Sequence, residues 1–480
     1  MIYKLHRDVR VRNDVDRNIV YIANPVDSEI PDFIQTINTP AAILLALFDG
    51  TRSLEEVIYT WSALIHERPP DDEIRKSLET ILSSKVSPEL DIGNILVRQD
   101  SLDDTPAFET DLCGFIIDRS KLNLDDPRLR IPLRMVFIPT LACSQKCYYC
   151  YSTEAYVDDI TPLDFERVRE IFTEARELGI THVDLSGGEV MTYRNIFGLL
   201  ELFKNLGITA NLPTKHTMSR DEVKKLKTLG IDSLQISIDA ITPALLDETV
   251  GVAGYAKKIM QTFDHLRQND IRVRINTVIT PKNINDMENL VRFLSSYENV
   301  YRISLSPYAM SRFNHQSRYF VDRESYLDVA GRCVEAASGA GHLEILPGEL
   351  MPNPLSLDEE TKKEQWPGRS FCSGGRHGFV LLPDGKVTMC EELYYHPAYI
   401  MGGLDVQSIM EMWNSKESLR VPLPHQKDVA DGPCMDCEEF RDCHIFPGRC
   451  VREAIKLFGE DKHDYPDPRC PKALAVLACP

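Results

Sequence analysis

The chain has 480 residues, 43% hydrophobic and 26% charged, with a formal net charge of −19. That length asks for about two to four domains, the composition is that of a globular protein, and the acidity argues against a nucleic-acid-binding face. The longest apolar runs, "AAILLALF" and "ALAVLAC", are too short to span a membrane, and the start "MIYKLHRDVRVRND" carries no signal-peptide core, so a cytoplasmic protein without membrane or nucleic-acid partners is expected.

In chain order, residues 1–95 read as a small α+β unit. Two strand-like stretches ("YKLHRDVRVR", "NIVYIANP") precede a helix in "NTPAAILLALFDG", with its start at Asn38-Thr39-Pro40 and its stop at Gly50. "SLEEVIYTWSALI" is a second helix, with Ser53 and Glu56 spaced for a capping box. "DDEIRKSLETILSS" is a third, and "NILVRQ" a returning strand. Three helices with flanking strands predict a winged helix-turn-helix. Its 11 Lys+Arg against 17 Asp+Glu over residues 1–100 do not suit DNA. Residues 96–131 read as a polar connector around "DSLDDTP".

From 132 to 340 strand and helix patterns alternate. "RMVFIPT", "THVDLSGGE", "TANLPT", "SLQISIDA", "RVRINTVIT" and "YRISLSPY" read as strands; "DFERVREIFTEAREL", "IFGLLELFKNL" and "AKKIMQTFDHLRQ" read as helices. Six β/α units predict an α/β fold, a parallel sheet curved into a partial (β/α)6 barrel of TIM type. Functional groups then gather at the C-terminal strand ends. A Pro-rich bridge, 341–369, leads to a cysteine-rich domain, 370–480. Eight of the thirteen cysteines lie from Cys372 to Cys479, and in a reducing compartment such clustering favours metal over disulfides. Cys113 and Cys333 stand apart, as small core residues do.

Directly after the first barrel strand comes "CSQKCYYC", with Cys143, Cys147 and Cys150 at C-x3-C-x2-C. A structural zinc takes four ligands; three thiolates suit an iron–sulfur cluster with one iron left open. "SGGE", Ser186–Glu189, ends the second strand. Its glycines admit a close backbone approach to a ligand, and its carboxylate suits an ammonium group. On consecutive β/α units the two motifs resemble the radical S-adenosylmethionine superfamily. That resemblance implies a 4Fe–4S cluster on Cys143, Cys147 and Cys150, whose open iron chelates S-adenosylmethionine. It implies Tyr149 near the adenine; Gly187, Gly188 and Glu189 at the methionine amino group; Ser237 and Asp239 of "QISIDA" at the ribose, Asp239 being equally a strand-end cap; Val278 flanking the adenine; and Lys215 at the cosubstrate carboxylate, at the substrate or in solvent.

In the tail, Cys372 precedes Gly385-x4-Cys390, "CMDCEEFRDC" supplies Cys434, Cys437 and Cys443, and Cys450 and Cys470 follow. This resembles the SPASM extension of the superfamily, which implies two auxiliary 4Fe–4S clusters and three clusters in all. By that pattern Cys434, Cys437, Cys443 and Cys470 complete one cluster, while Cys372, Cys390 and Cys450 hold the other. Six residues separate Cys443 from Cys450 where the family usually has three. No further cysteine lies between Cys372 and Cys390, so the second cluster keeps an open iron unless Cys479 or a non-cysteine ligand closes it.

"NTPAAILLALFDGTRSLEEV" resembles the PqqD-like peptide-chaperone domain, the RiPP recognition element. Such domains bind the leader of a ribosomally made precursor peptide as an added strand beside a helix. The three resemblances together imply a radical maturase of a precursor peptide, reduced by a flavodoxin or ferredoxin. An open auxiliary iron would bind a peptide cysteine as thiolate and point to a thioether cross-link, as in sactipeptide- and ranthipeptide-type maturases. The alternatives are a carbon–carbon cross-link, an epimerisation with Cys333 or Cys479 as hydrogen donor, or a non-catalytic peptide-binding protein with structural zinc. Asp384, Glu391 and Asp436 are candidate bases near the auxiliary cysteines.

Overall fold

The computed structural model describes residues 2–25, 28, 30, 32–65, 85–87, 90–91, 95–99, 111–123, 126–152, 158–309, 311–313, 316–350, 357–429, 432–445 and 447–473. The chain divides into two compact units, residues 1–131 and 132–480.

In the first unit the leading strand-like stretch is two strands, β1 (Ile2–Leu5) and β2 (Val9–Asn13), in different sheets. The chain turns between them, with Val9 N donating to His6 O at 2.9 Å. β2, β3 (Asn18–Ile22) and β4 (Ile34–Ile37) form an antiparallel meander. Helix α1 (Thr39–Leu47) begins where the Asn38 side chain accepts from Ala41 N, and α2 (Leu54–Leu64) begins on the Ser53–Glu56 capping box. Between the helices Asp49–Ser53 is a strand, β5, paired with β1, where only a helix stop was expected. β6 (Lys85–Ser87) pairs with β7 (Leu90–Asp91), and β8 (Leu96–Gln99) returns beside β1. The third helix of the expected winged helix-turn-helix falls outside the described residues.

Of residues 96–131, read as a connector, the "DSLDDTP" centre lies outside the described residues, and the described parts belong to the first unit. They supply β8 and Phe115, which packs in one core with Leu44, Val57 and Leu96. A buried ionic knot then ties the segment to the meander. Asp14, fully buried, accepts from Arg130 N and Ile131 N at 2.9 Å each, and Arg130 Nε reaches Asp16 at 2.6 Å. Arg130 and Ile131 read as linker because their place depends on pairing with distant acids, which no local pattern records.

The second unit is the partial barrel. β9 (Arg134–Phe137), β10 (His182–Leu185), β11 (Thr209–Asn211), β12 (Pro213–Thr214), β13 (Ser233–Ser237), β14 (Arg272–Ile279) and β15 (Val300–Pro307) are parallel wherever they pair. The expected third strand is broken at Leu212: β11 stays with β10, while β12 joins β13. Helices Phe165–Glu177, Ile196–Leu206 and Tyr255–Gln268 lie where the periodicity puts them. Val183, Leu185, Leu234, Ile236, Ile275 and Ile303, each at most 1% exposed, belong to the shared core, and each such side chain contributes about 1.5–3 kcal/mol by burial.

Two strands lie beyond the expected barrel. β16 (Glu344–Pro347), inside the segment read as a bridge, pairs in parallel with β15. β17 (Gly378–Leu381), inside the tail, pairs in parallel with β9 and continues into antiparallel β18 (Lys386–Thr388) and β19 (Ile400–Gly403). A Cβ at Gly378 would lie 2.4 Å from Arg134 O, so this junction requires glycine. The cysteine-rich tail is thereby built onto the first barrel strand. Among the described residues no helix is long and apolar enough to cross a membrane.

Candidate functional site

The cysteine loop leaves the C-terminal end of β9. It is pinned by Lys146 N to Val250 O at 2.8 Å and by Cys150 N to Cys147 O at 3.1 Å. The SGGE segment leaves the neighbouring end of β10 and lies directly on that loop. Gly188 N donates to Thr140 O at 3.0 Å and Glu189 N to Ala142 O at 2.9 Å. A Cβ on Gly187, at φ +117°, would stand 2.6 Å from Thr140 O, and one on Gly188 2.3 Å from Ala142 O. The two glycines therefore let two strand-end loops touch, where the sequence suggested room for a ligand. The Glu189 carboxylate, 4% exposed, accepts from Met191 N at 3.0 Å, Thr214 Oγ1 at 2.6 Å and Lys215 N at 2.8 Å, locking β10 to β12.

Asp239, fully buried after β13, gathers the remaining rim residues. Its Oδ2 accepts from Tyr149 OH at 2.5 Å and Lys215 Nζ at 2.6 Å, and its Oδ1 from Val278 N at 2.8 Å. Lys215 Nζ also reaches Ser237 O at 3.2 Å and lies 5.6 Å from the centre of the Tyr149 ring. Burial works against the Lys215 ammonium, but the Asp239 charge outweighs it and holds the pKa above the usual lysine value. Burial also raises the Cys147 thiol to about 12, and metal coordination favours the thiolate. Asn283, which sequence reasoning missed, donates to Asp239 O and Val278 O at 2.8 Å each. Its one sequence signal is "NTVITPKN", a polar turn after β14. Tyr149, Gly187, Gly188, Glu189, Lys215, Ser237, Asp239 and Val278 thus form one connected rim beside Cys143, Cys147 and Cys150.

In the tail, Cys434, Cys437, Cys443 and Cys470 line one cavity with Phe440, His444 and Lys472. Cys372, Cys390 and Cys450 are half-buried, and burial lifts Cys390 to about 12 and Cys450 to about 11. None of the described cysteines is in a disulfide. Reduced thiols on one loop, and four more around one cavity, fit iron–sulfur clusters by donor chemistry. Cys479 lies outside the described residues. Cys333 is fully buried in helix Arg323–Ala337 within the core, out of reach of any substrate as a hydrogen donor.

Of the three candidate bases, the structure brings Glu391 alone to the rim. Ser186 Oγ donates to Glu391 Oε2 at 2.6 Å, and Tyr151 OH lies 3.1 Å from Ser186 Oγ. Burial, opposed by the Ser186 hydrogen bond, raises the Glu391 carboxyl above the usual carboxylate range. Asp384 is spent on Tyr395 OH at 3.1 Å and Lys386 Nζ at 3.0 Å, and Asp436 is exposed beside Cys437. Tyr151 and Ser186 were missed as partners because only the parallel β9–β10 pairing sets their loops side by side.

Residues 137–294 match the radical SAM superfamily and residues 372–438 match SPASM, an iron–sulfur cluster-binding domain. The two domains imply S-adenosylmethionine and iron–sulfur clusters as cofactors. The chain is similar to the PqqA peptide cyclase of Rhizobium meliloti (strain 1021), 23% identical over 336 residues, which cover 70% of this chain and 86% of that one. It is also similar to a probable GTP 3′,8-cyclase of Sulfolobus acidocaldarius, 26% identical over 257 residues, 52% and 78% of the two chains. Its fold resembles that of Streptococcus suis SuiB, whose crystal structure bound to precursor peptide SuiA aligns with a TM-score of 0.65 at 16% identity, covering 98% of this chain and 100% of that one.

Proposed function

Because the chain is a radical S-adenosylmethionine protein with a SPASM domain, we propose that it matures a ribosomally made precursor peptide by an oxidative cross-link, a thioether from a peptide cysteine sulfur to a peptide carbon. Cys143, Cys147 and Cys150 would hold the cluster that binds S-adenosylmethionine. Cys434, Cys437, Cys443 and Cys470 would hold one auxiliary cluster, and Cys372, Cys390 and Cys450 the other. With cofactors bound, the rim cluster supplies a 5′-deoxyadenosyl radical, the hydrogen-abstracting agent. The protein's own contribution is position: Asp239 fixes Tyr149, Lys215 and the end of β14 around one point, and Glu189 fixes the ends of β10 and β12.

The observation that carries an oxidative reaction is the Ser186–Glu391 hydrogen bond at 2.6 Å. It joins a residue beside the cysteine loop to the residue that follows Cys390. In this reading Cys390 would help hold the electron acceptor and Glu391 would take the proton at the rim. Cross-linking releases one electron and one proton after hydrogen abstraction; epimerisation releases neither. Substrate class is supported by the relatives, since SuiB is bound to a precursor peptide and the Rhizobium protein is a peptide cyclase. In the first unit, β4 pairs only with β3 among the described residues and so offers an edge for a leader strand. A flavodoxin or ferredoxin would deliver the reducing electron.

A carbon–carbon cross-link uses the same adjacency and needs no thiol. Anaerobic reaction with S-adenosylmethionine, reductant and the cognate peptide, read by mass spectrometry with thiol alkylation, separates the two. Loss of about two hydrogens with one thiol blocked gives the thioether; the same loss with every thiol free gives the carbon–carbon bond. Released 5′-deoxyadenosine with unchanged peptide mass refutes oxidative cross-linking. The zinc reading predicts colourless, zinc-loaded protein, and brown anaerobic protein with iron–sulfur absorbance discards it.

A further inference from the structure

Around the cavity of Cys434, Cys437, Cys443 and Cys470, side-chain N–H groups face sulfur. Lys472 Nζ donates to Cys437 Sγ at 3.1 Å. Arg369 Nη2 donates to Cys443 Sγ at 3.8 Å and to Cys443 O at 3.3 Å. His444 lines the same cavity, is 5% exposed, and its Nε2 is buried without a hydrogen-bond partner. The ring is held flat against Phe440, centroids 3.9 Å apart at 19°, while Arg376 grips the His444 carbonyl. A buried nitrogen without a partner is costly, and this one lies on a cavity lined by four thiols, where a sulfur acceptor would satisfy it.

The other auxiliary set differs. Among the described residues no side-chain N–H donates to Cys372, Cys390 or Cys450. Arg452, beside Cys390 and Cys450, is spent on Glu392 at 2.5 Å, and Lys456 on Glu392 at 3.0 Å. By contrast Lys472 and Arg369 make no ion pair with a carboxylate among the described residues. Hydrogen bonds and positive charge at cluster sulfurs favour the more reduced, more negative state.

We propose that the cluster on Cys434, Cys437, Cys443 and Cys470 is the higher-potential auxiliary cluster, with Lys472, Arg369 and His444 as the N–H donors that hold the added electron there. The inference rests on the cluster assignments above. Cross-linking releases one electron and one proton; with both clusters bound, that electron would pass by way of the set on Cys372, Cys390 and Cys450 and come to rest on this one, from which an oxidised flavodoxin- or ferredoxin-type one-electron carrier would remove it before the next turnover. Lys472, at the surface, marks the side from which that acceptor approaches.

The test is a potentiometric titration, read by electron paramagnetic resonance, of anaerobically reconstituted full-length protein in which Cys143, Cys147 and Cys150 are alanine. Two reduction waves are expected. In His444→Leu the more positive wave falls by about tenfold in the one-electron equilibrium, ~59 mV, because a buried donor is lost. In Lys472→Met it falls about threefold, because the ammonium is exposed and screened, and Lys472→Arg restores it. Arg452→Gln moves only the more negative wave. The proposal is overturned if the variants move the more negative wave, or move neither while iron and sulfide per chain match the parent. Absence of two auxiliary clusters from the parent itself would instead overturn the cluster assignments of the proposed function.

Discussion

At the scale of single residues, Asp239 does the organising. Its carboxylate receives three hydrogen bonds from three separate elements while fully buried. Replacing one member of such a buried pair leaves the other charge unmatched and costs about 3–5 kcal/mol. Asp239→Asn is expected to lower stability by about 3 kcal/mol in chemical denaturation and to weaken S-adenosylmethionine binding about tenfold in equilibrium dialysis, with iron content unchanged. Glu391 gives a prediction with a pH sign. A carboxyl raised above its ordinary value of 4.5 adds stability below that value and loses it as pH rises through the folded value. Glu391→Gln cannot ionise, so its melting temperature should gain on the parent between about pH 5 and pH 7, and parallel curves would contradict the raised carboxyl. In turnover the same variant should lose about a hundredfold in cross-linking but keep 5′-deoxyadenosine formation.

At the scale of elements, β4 carries the testable edge. Ile22 N donates to Phe33 O, and antiparallel pairs alternate between bonded and non-bonded. Gln35 is then bonded to Val20 and the Thr36 N–H faces outward. Thr36→Pro removes one outward donor from an edge strand, where proline is tolerated. Leader-peptide affinity should fall about tenfold by fluorescence anisotropy, with the melting temperature nearly unchanged; undiminished affinity would move the leader to another surface. The cysteine loop is the second element at issue. Converting Cys143, Cys147 and Cys150 to alanine should abolish 5′-deoxyadenosine while leaving the iron of the two tail sets in place.

At the scale of the molecule, the tail and the barrel are one construction. β17 adds to β9, the strand that launches the cysteine loop, and Glu391 follows from the turn structure after β18 to meet Ser186 beyond β10. That is why a residue far along the chain from Cys150 serves the same rim. The proposed oxidative reaction asks for a proton acceptor at the rim, and this strand pairing is what lets Glu391 reach Ser186 there.

By itself the sequence determined the cysteine loop, the SGGE segment, the β/α alternation and the capped start of α2, because each depends on neighbours in the chain: thiol spacing, glycine pairs, period and a side chain three residues away. Tertiary structure alone decided what depends on distant partners. The segment 96–131 became part of the first unit through Asp14 and Asp16. β16 and β17 became strands because β15 and β9 offered edges. Gly187 and Gly188 turned out to serve loop against loop, and of three acidic candidates Glu391 was chosen by the hydrogen bond it receives. Local periodicity records which residues want burial; it does not record which edge or charge the folded chain will hold against them.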